Sequence, residues 1–103
     1  MEDITVGELS TRLQNGEKPN IIDVRELYEH QEFNIGGDLA TLQTSFPFKI
    51  QELKGRENEE FIVYCRSGNR SGMAKHLMVQ SGFKNVKNLI GGMLAWQEMY
   101  KTN

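Results

Sequence analysis

Apolar residues along this chain fall into two patterns that take turns. One is the short, continuous β-branched or aromatic run; the other is the amphipathic stretch at helical spacing. Thr5-Val6-Gly7-Glu8 reads as a capping box, followed by Val6, Leu9 and Leu13 on one helical face and by Gly16 as a stop. Asn20-Ile21-Ile22-Asp23-Val24, after Pro19, reads as a buried strand. Glu26 to Phe33 is expected to be a short helix with Leu27, Tyr28 and Phe33 sharing a face. Gly36-Gly37 breaks the chain, and Leu39 to Leu42 reads as a strand. Phe46 to Leu53 is expected to be a helix around Pro47, with Phe48, Ile50 and Leu53 buried. A polar loop, Gly55 to Glu60, leads to the most apolar strand, Phe61 to Cys65. Ser71 to Ser81 then reads as a helix with Met73, Ala74, Leu77 and Met78 inward and Gly82 closing it. Val86 to Leu89 is a strand, Gly91-Gly92 a turn, and Leu94 to Tyr100 a last helix.

Helices and strands alternating in this way specify an α/β protein, a parallel sheet covered on both faces. Ligands in such sheets bind at the carboxyl ends of the strands. Three strand ends carry informative residues: Asp23-Val24-Arg25, Cys65 and Ile90-Gly91-Gly92. Parallel strands would bring them to one edge and one cleft.

Composition narrows the partners. The chain has 103 residues, enough for one domain and one modest core, taken as 1–103. A net charge of −2 offers no electrostatic grip on nucleic acid or acidic membranes. No apolar run approaches the roughly 18 residues of a membrane helix. The acidic start Met1-Glu2-Asp3-Ile4 lacks the regions of a signal peptide. The one cysteine excludes an internal disulfide and a zinc set, so a reducing cytoplasm and no metal or cofactor are expected.

That cysteine, Cys65, sits where a strand hands over to a helix, in Cys65-Arg66-Ser67-Gly68-Asn69-Arg70-Ser71. Backbone N–H groups converge at such a junction and favour an anion. An ordinary cysteine has a pKa of about 8.5, which leaves roughly 3% thiolate at pH 7. A pKa about 2 lower would give roughly three quarters thiolate, for about 2.7 kcal/mol of differential stabilisation. A loop turning its N–H groups inward needs backbone shapes that Gly68 reaches easily. Gly72 is expected to let the next helix approach the sheet closely. Four residues separate Cys65 from Arg70, whereas cysteine phosphatases place five between theirs. So small a ring suits one added sulfur, a persulfide, better than a tetrahedral phosphate.

On these residues the chain resembles the single-domain rhodaneses, thiosulfate-type sulfurtransferases. Ile22-Asp23-Val24-Arg25 with Glu29 is similar to the family's first motif, and Cys65 to Ser71 is similar to its active loop. Ala74, Leu77, Gly82-Phe83, Val86, Leu89, Gly91-Gly92 and Trp96 follow at the family's spacing. The resemblance implies a three-layer fold with a mostly parallel sheet of about five strands. It implies that Cys65 takes the outer sulfur of thiosulfate or another donor as a persulfide, with Arg66, Ser67, Gly68, Asn69 and Arg70 around it. Cyanide, a small thiol or a sulfur-relay protein would then accept the sulfur; the alternative is a relay carrier that works with a protein partner. The chain departs from the family at Asn34 and Gly36, where a histidine and a proline are usual.

The remaining polar residues have plainer expectations. Asp23 and Arg25 are read as structural support of the loop, with Asp23 accepting backbone hydrogen bonds and Arg25 pairing Glu29 at i,i+4. Ser67 and Ser71 are read as caps for the following helix, Ser71 also supporting the loop. His30 is expected in solvent, His76 far from the thiol, Met93 near the pocket and Trp96 in the core. A monomer is expected.

Overall fold

The computed structural model describes residues 2–101. Met1, Thr102 and Asn103, which the expected domain limits include, lie outside the described residues. In chain order the elements are α1 (Val6–Gln14), β1 (Asn20–Asp23), α2 (Leu27–Glu32), β2 (Asp38–Leu39), α3 (Phe46–Glu52), β3 (Glu60–Tyr64), α4 (Asn69–Gln80), β4 (Asn85–Asn88) and α5 (Gly92–Lys101). The strands form one sheet in the order β2-β1-β3-β4, every neighbouring pair parallel. The sheet among the described residues has four strands, not five. Beyond β4 only a single parallel bridge, Ile4 to Leu89, extends it.

The central strands are buried on both sides, which is why they read as unbroken apolar runs. Successive side chains point to opposite faces. Ile22, Phe61, Val63 and Cys65 face a core with Phe46 and Ile50 of α3 and Ala74 and Met78 of α4. Ile21, Ile62 and Tyr64 face the other core, with Leu9 of α1 and Met93 and Trp96 of α5. Ring packing tightens the first layer, where Phe83 meets Phe61 edge-on at 5.6 Å.

The capping box at Thr5 and Glu8 is present, each satisfying the other's backbone N–H. Other expectations change. β2 covers only Asp38–Leu39 rather than 39 to 42, because the chain turns at Thr41, whose carbonyl accepts from Thr44, Ser45 and Phe46. Phe48 is 75% exposed; Phe46 takes the core position instead, beside Ile50 and Leu53. α2 buries none of its residues, so Leu27, Tyr28 and Phe33 face solvent. Met73 is exposed as well, leaving Ala74 and Met78 buried and Leu77 partly buried against the same core. A Cβ on Gly72 would lie an ordinary 3.6 Å from Asn88 Nδ2, so close packing does not require that glycine.

Candidate active site

Because all four strands run the same way, the carboxyl ends of β1, β3 and β4 meet at one edge. Cys65 follows β3 directly and lies 1% exposed at the base of the loop leading into α4. Gly68 has φ 109°, in the left-handed region, and this reversal turns its N–H onto Cys65 Sγ at 3.1 Å. Helix α4 begins at Asn69, earlier than the sequence pattern suggests, with Gly68 as its cap. Neither Ser67 nor Ser71 caps it: no side chain fills that role, and Ser71 lies inside the helix. The Ser71 hydroxyl is instead buried, 3.3 Å from Cys65 Sγ and 2.6 Å from Asn88 Oδ1. Asn88 donates through Nδ2 to the Gly68 carbonyl at 3.1 Å, which makes its Oδ1 the acceptor. The end of β4 thus holds both the loop and the serine.

Burial pushes the Cys65 thiol up. Hydrogen bonds from the Ser71 hydroxyl and the N–H groups of Ser71, Gly68 and Ser67 outweigh it, and the pKa is lowered. The thiol's donors are thus the N–H groups of Ser67, Gly68 and Ser71 with the Ser71 hydroxyl. Gly92 closes the loop from the other side. A Cβ there would lie 2.4 Å from the Cys65 carbonyl oxygen, at φ 57°, so only glycine fits. Met93 N and Leu94 N donate to the carbonyls of Cys65 and Arg66 and pin the start of the loop to α5.

The two loop arginines part company. Arg70 makes two bonds to Glu29, at 2.8 and 3.1 Å. Its cationic form is favoured first by that carboxylate and also by attraction to Cys65. Arg66 is exposed, and its side chain has no partner among the described residues. Asn69 is exposed and Ser67 likewise.

Behind the loop lies a buried polar cluster. Asp23 accepts from the Arg25 backbone N–H at 2.9 Å, from Arg25 Nε and Nη2, and from Tyr64 Oη at 3.0 Å. His30 Nδ1 lies 2.8 Å from Asp23 Oδ2. Two expectations are therefore corrected. Arg25 pairs with Asp23, because it precedes α2 and turns back onto its own strand. His30 is held by Asp23 rather than left in solvent. Burial pushes Asp23 up, but bonds from Arg25 and His30 leave its carboxyl below the ordinary value. Burial pushes Tyr64 up to about 12, helped by Asp23. The cluster also reaches the segment where the chain departs from the family. Ile35 N donates to Tyr64 Oη at 3.1 Å, while Asn34 Nδ2 donates to the His30 carbonyl and its Oδ1 accepts from Gly36 N. Gly36 has φ 102°, a shape closed to proline.

Sequence reasoning missed Asn88, Tyr64 and the Glu29–Arg70 pair. Asn88 carried one usable signal, its position at a strand end just before Gly91-Gly92. His76 is exposed on α4, without a bond to Cys65. Met93 does border the cleft beside the loop, and Trp96 is buried. Among the described residues no His, Cys, Asp and Glu side chains cluster as a metal site, and no helix is long and apolar enough to cross a membrane.

Fold and site define a parallel α/β domain with a cysteine-centred loop at the carboxyl edge of its sheet. The rhodanese-like domain family matches residues 5–99, and the chain belongs to it. Over 94 residues it is 34% identical to YrkF of Bacillus subtilis, whose name designates a sulfur carrier, covering 91% of this chain and 50% of that protein. It is 31% identical over 96 residues to a sulfurtransferase of Allochromatium vinosum, covering 93% of this chain and 88% of the relative. The crystal structure of a rhodanese-like domain protein from Staphylococcus aureus superposes with a TM-score of 0.81 at 28% identity, over 93% of this chain and 91% of that one. This is a family of sulfurtransferases and sulfur carriers.

Proposed function

We propose that this protein moves sulfane sulfur from thiosulfate or a persulfide donor to a thiophilic acceptor through a persulfide on Cys65. The observation that carries the reading is the thiol's surroundings: N–H groups of Ser67, Gly68 and Ser71 with the Ser71 hydroxyl, all directed at the sulfur. The Cys65 thiolate attacks the outer sulfur of thiosulfate. An S–S bond forms to Cys65, the bond to the sulfite sulfur breaks, and sulfite leaves with the electron pair. Cys65–S–S⁻ remains in the loop. Attack on its outer sulfur by cyanide or a thiol regenerates the Cys65 thiolate.

In this reading Cys65 is the nucleophile. Arg66, Ser67, Gly68, Asn69 and Arg70 bind the donor, Arg66 through its free guanidinium and the others as the loop wall. Asp23, Arg25 and Ser71 hold the loop. No cofactor takes part, and the 103 residues act as one domain, a monomer in the cytoplasm. Burial of the thiol favours donors with a slim outer sulfur over bulky electrophiles. A relay role, in which a protein partner delivers or removes the sulfur, draws support from the sulfur-carrier name of YrkF, a protein twice as long as the stretch this chain spans.

Thiocyanate formation from thiosulfate and cyanide, with mass spectrometry of Cys65, tests the reading. The native chain should gain the mass of one sulfur and turn over, and Cys65→Ser should do neither. Equal rates in both proteins would sink the proposal. A stable adduct with little turnover would favour the relay carrier.

A further inference from the structure

Asn88 is the last residue of β4 and stands in register with Val63 of β3. Side chains alternate along a strand, so Asn88 shares the face of Val86, which packs in the core of Cys65 and Ala74. A carboxamide on that face meets the start of α4. Its backbone is fixed without the side chain: the Asn88 N–H donates to Asp3 Oδ1 at 2.9 Å, and its carbonyl accepts from Ile4 N at 3.1 Å. Asp3 also pairs with Lys75, one turn beyond Ser71 on α4, so strand end and helix are held together. The side chain is thereby placed between two groups of the loop. Nδ2 donates to the Gly68 carbonyl at 3.1 Å, and Oδ1 accepts from the Ser71 hydroxyl at 2.6 Å. The reverse amide orientation would set Oδ1 against the Gly68 carbonyl oxygen, two acceptors facing each other. The amide therefore offers Ser71 only an acceptor. Ser71 has one proton for two acceptors, and Cys65 Sγ lies farther, at 3.3 Å.

We propose that Asn88 is a positioning residue that makes the Ser71 donor conditional: the hydroxyl points at Oδ1 while Cys65 is a neutral thiol and swings to the sulfur when Cys65 is a thiolate. The role rests on Cys65 being the nucleophile of the reading above. A hydrogen bond to an ion is roughly twice as strong as one between neutral groups, so the thiolate draws the hydroxyl from the amide. A neutral thiol is a weak acceptor and does not. No proton leaves the serine; only the direction of its O–H changes, and the thiol proton goes to water. Ionisation of Cys65 thus costs the Ser71–Asn88 bond. The Nδ2 bond meanwhile keeps the Gly68 N–H turned onto the sulfur in both states. The cation that attracts the sulfur, Arg70, is held by Glu29 and takes no part in the swap.

Native protein, Ser71→Ala, Asn88→Ala and the double variant carry the same charge and test this. Asn88→Leu, which keeps the branched shape, replaces the alanine variant if that one unfolds. The pH midpoint of Cys65 alkylation by iodoacetamide is read in each, with no sulfur donor present. Without the Asn88 acceptor the hydroxyl serves the sulfur alone, so Ser71→Ala should raise the midpoint further in the Asn88 variant than in native protein. The difference should be about half to one pH unit, the worth of one hydrogen bond. In native protein the Asn88 side-chain amide resonances should titrate at the thiol midpoint, and Ser71→Ala should reduce that titration. A Ser71→Ala displacement equal in both backgrounds is the result for a merely structural Asn88. That result, or an amide silent through the midpoint, would overturn the proposal. Thiocyanate formation is scored apart. If it persists in that event, the sulfurtransferase reading stands without the positioning role. If the midpoints behave as expected while native protein makes no thiocyanate, the positioning role stands without that reading.

Discussion

The two ends of the same sheet manage charge in opposite ways. Near the amino ends of the strands, Glu60 pairs with Arg12 at 2.6 Å and with Lys87 at 3.0 Å, while Arg12 also reaches Glu17 at 2.9 Å. These groups neutralise one another at the surface. At the carboxyl ends, Asp23 and Arg25 are 0% and 4% exposed, and His30 and Tyr64 join them. Beside that cluster the thiol is left with hydrogen bonds but no ion pair of its own. The difference lies in what stays available. At the amino end Glu60, Arg12, Lys87 and Glu17 consume one another's charges. At the carboxyl end the buried pair consumes its own charges, Glu29 consumes Arg70, the loop donors serve the thiol, and the Arg66 side chain has no partner among the described residues.

The hardest test of this contrast is Asp23→Asn. Removing one partner of a buried pair leaves the other uncompensated and costs about 3–5 kcal/mol. Chemical denaturation should show that loss, a large part of a typical stability of about 5–15 kcal/mol. The pH dependence carries its own sign. The folded Asp23 carboxyl lies below its ordinary value, so its contribution is full above the unfolded pKa of about 3.9 and disappears as pH falls through the folded one. Native protein should therefore lose stability on acidification more steeply than Asp23→Asn. A loss below about 1 kcal/mol would mean that the cluster behaves like a surface pair.

A smaller effect is expected at Ser71. Its hydroxyl has one proton and two acceptors in reach, Asn88 Oδ1 and Cys65 Sγ. With a neutral thiol the serine gives that proton to Asn88; with a thiolate the sulfur competes for it. Ser71→Ala removes this donor and leaves the backbone N–H groups, so the thiol pKa should rise. The pH profile of Cys65 alkylation by iodoacetamide would then shift to higher pH. An unchanged midpoint would assign the thiolate's stability to the backbone alone.

How much of this was legible in the chain follows from how local each feature is. β1 and β3 were legible because burial on both faces writes an apolar run into sequence. The cysteine junction and Gly91-Gly92 were legible because a turn forced by geometry needs glycine; Gly92 lies too close to the loop for any side chain. β2 was blurred because a two-residue edge strand leaves little pattern. Leu27, Tyr28 and Phe33 misled, since helical spacing marks a stripe without saying whether a core lies under it. Pairings across the fold were the least legible. Spacing suggested Arg25 with Glu29, yet Arg25 returns to Asp23 and Glu29 reaches Arg70 on another helix. Asn88 serves the loop only because β4 lies beside β3 and ends at the loop, which no local pattern records.

The smallest effect is expected at the other end, and it sets the scale for the rest. Glu60 is partly exposed, and the Arg12 guanidinium, foremost, holds its carboxyl below the ordinary value. Glu60→Gln keeps the shape and removes the charge from a pair that water already screens. Stability should fall by no more than about 1 kcal/mol, and the loss should shrink with added salt. The native contribution is present above the unfolded pKa of about 4.3 and is lost as pH falls through the folded value. Sulfur transfer should not change, because nothing at this end touches the loop. Urea midpoints at low and high salt, set beside the thiocyanate rate, check both statements. A Glu60→Gln loss as large as that of Asp23→Asn, or one insensitive to salt, would erase the contrast between the two ends. Availability of the loop would then have to rest on the Glu29–Arg70 pair alone.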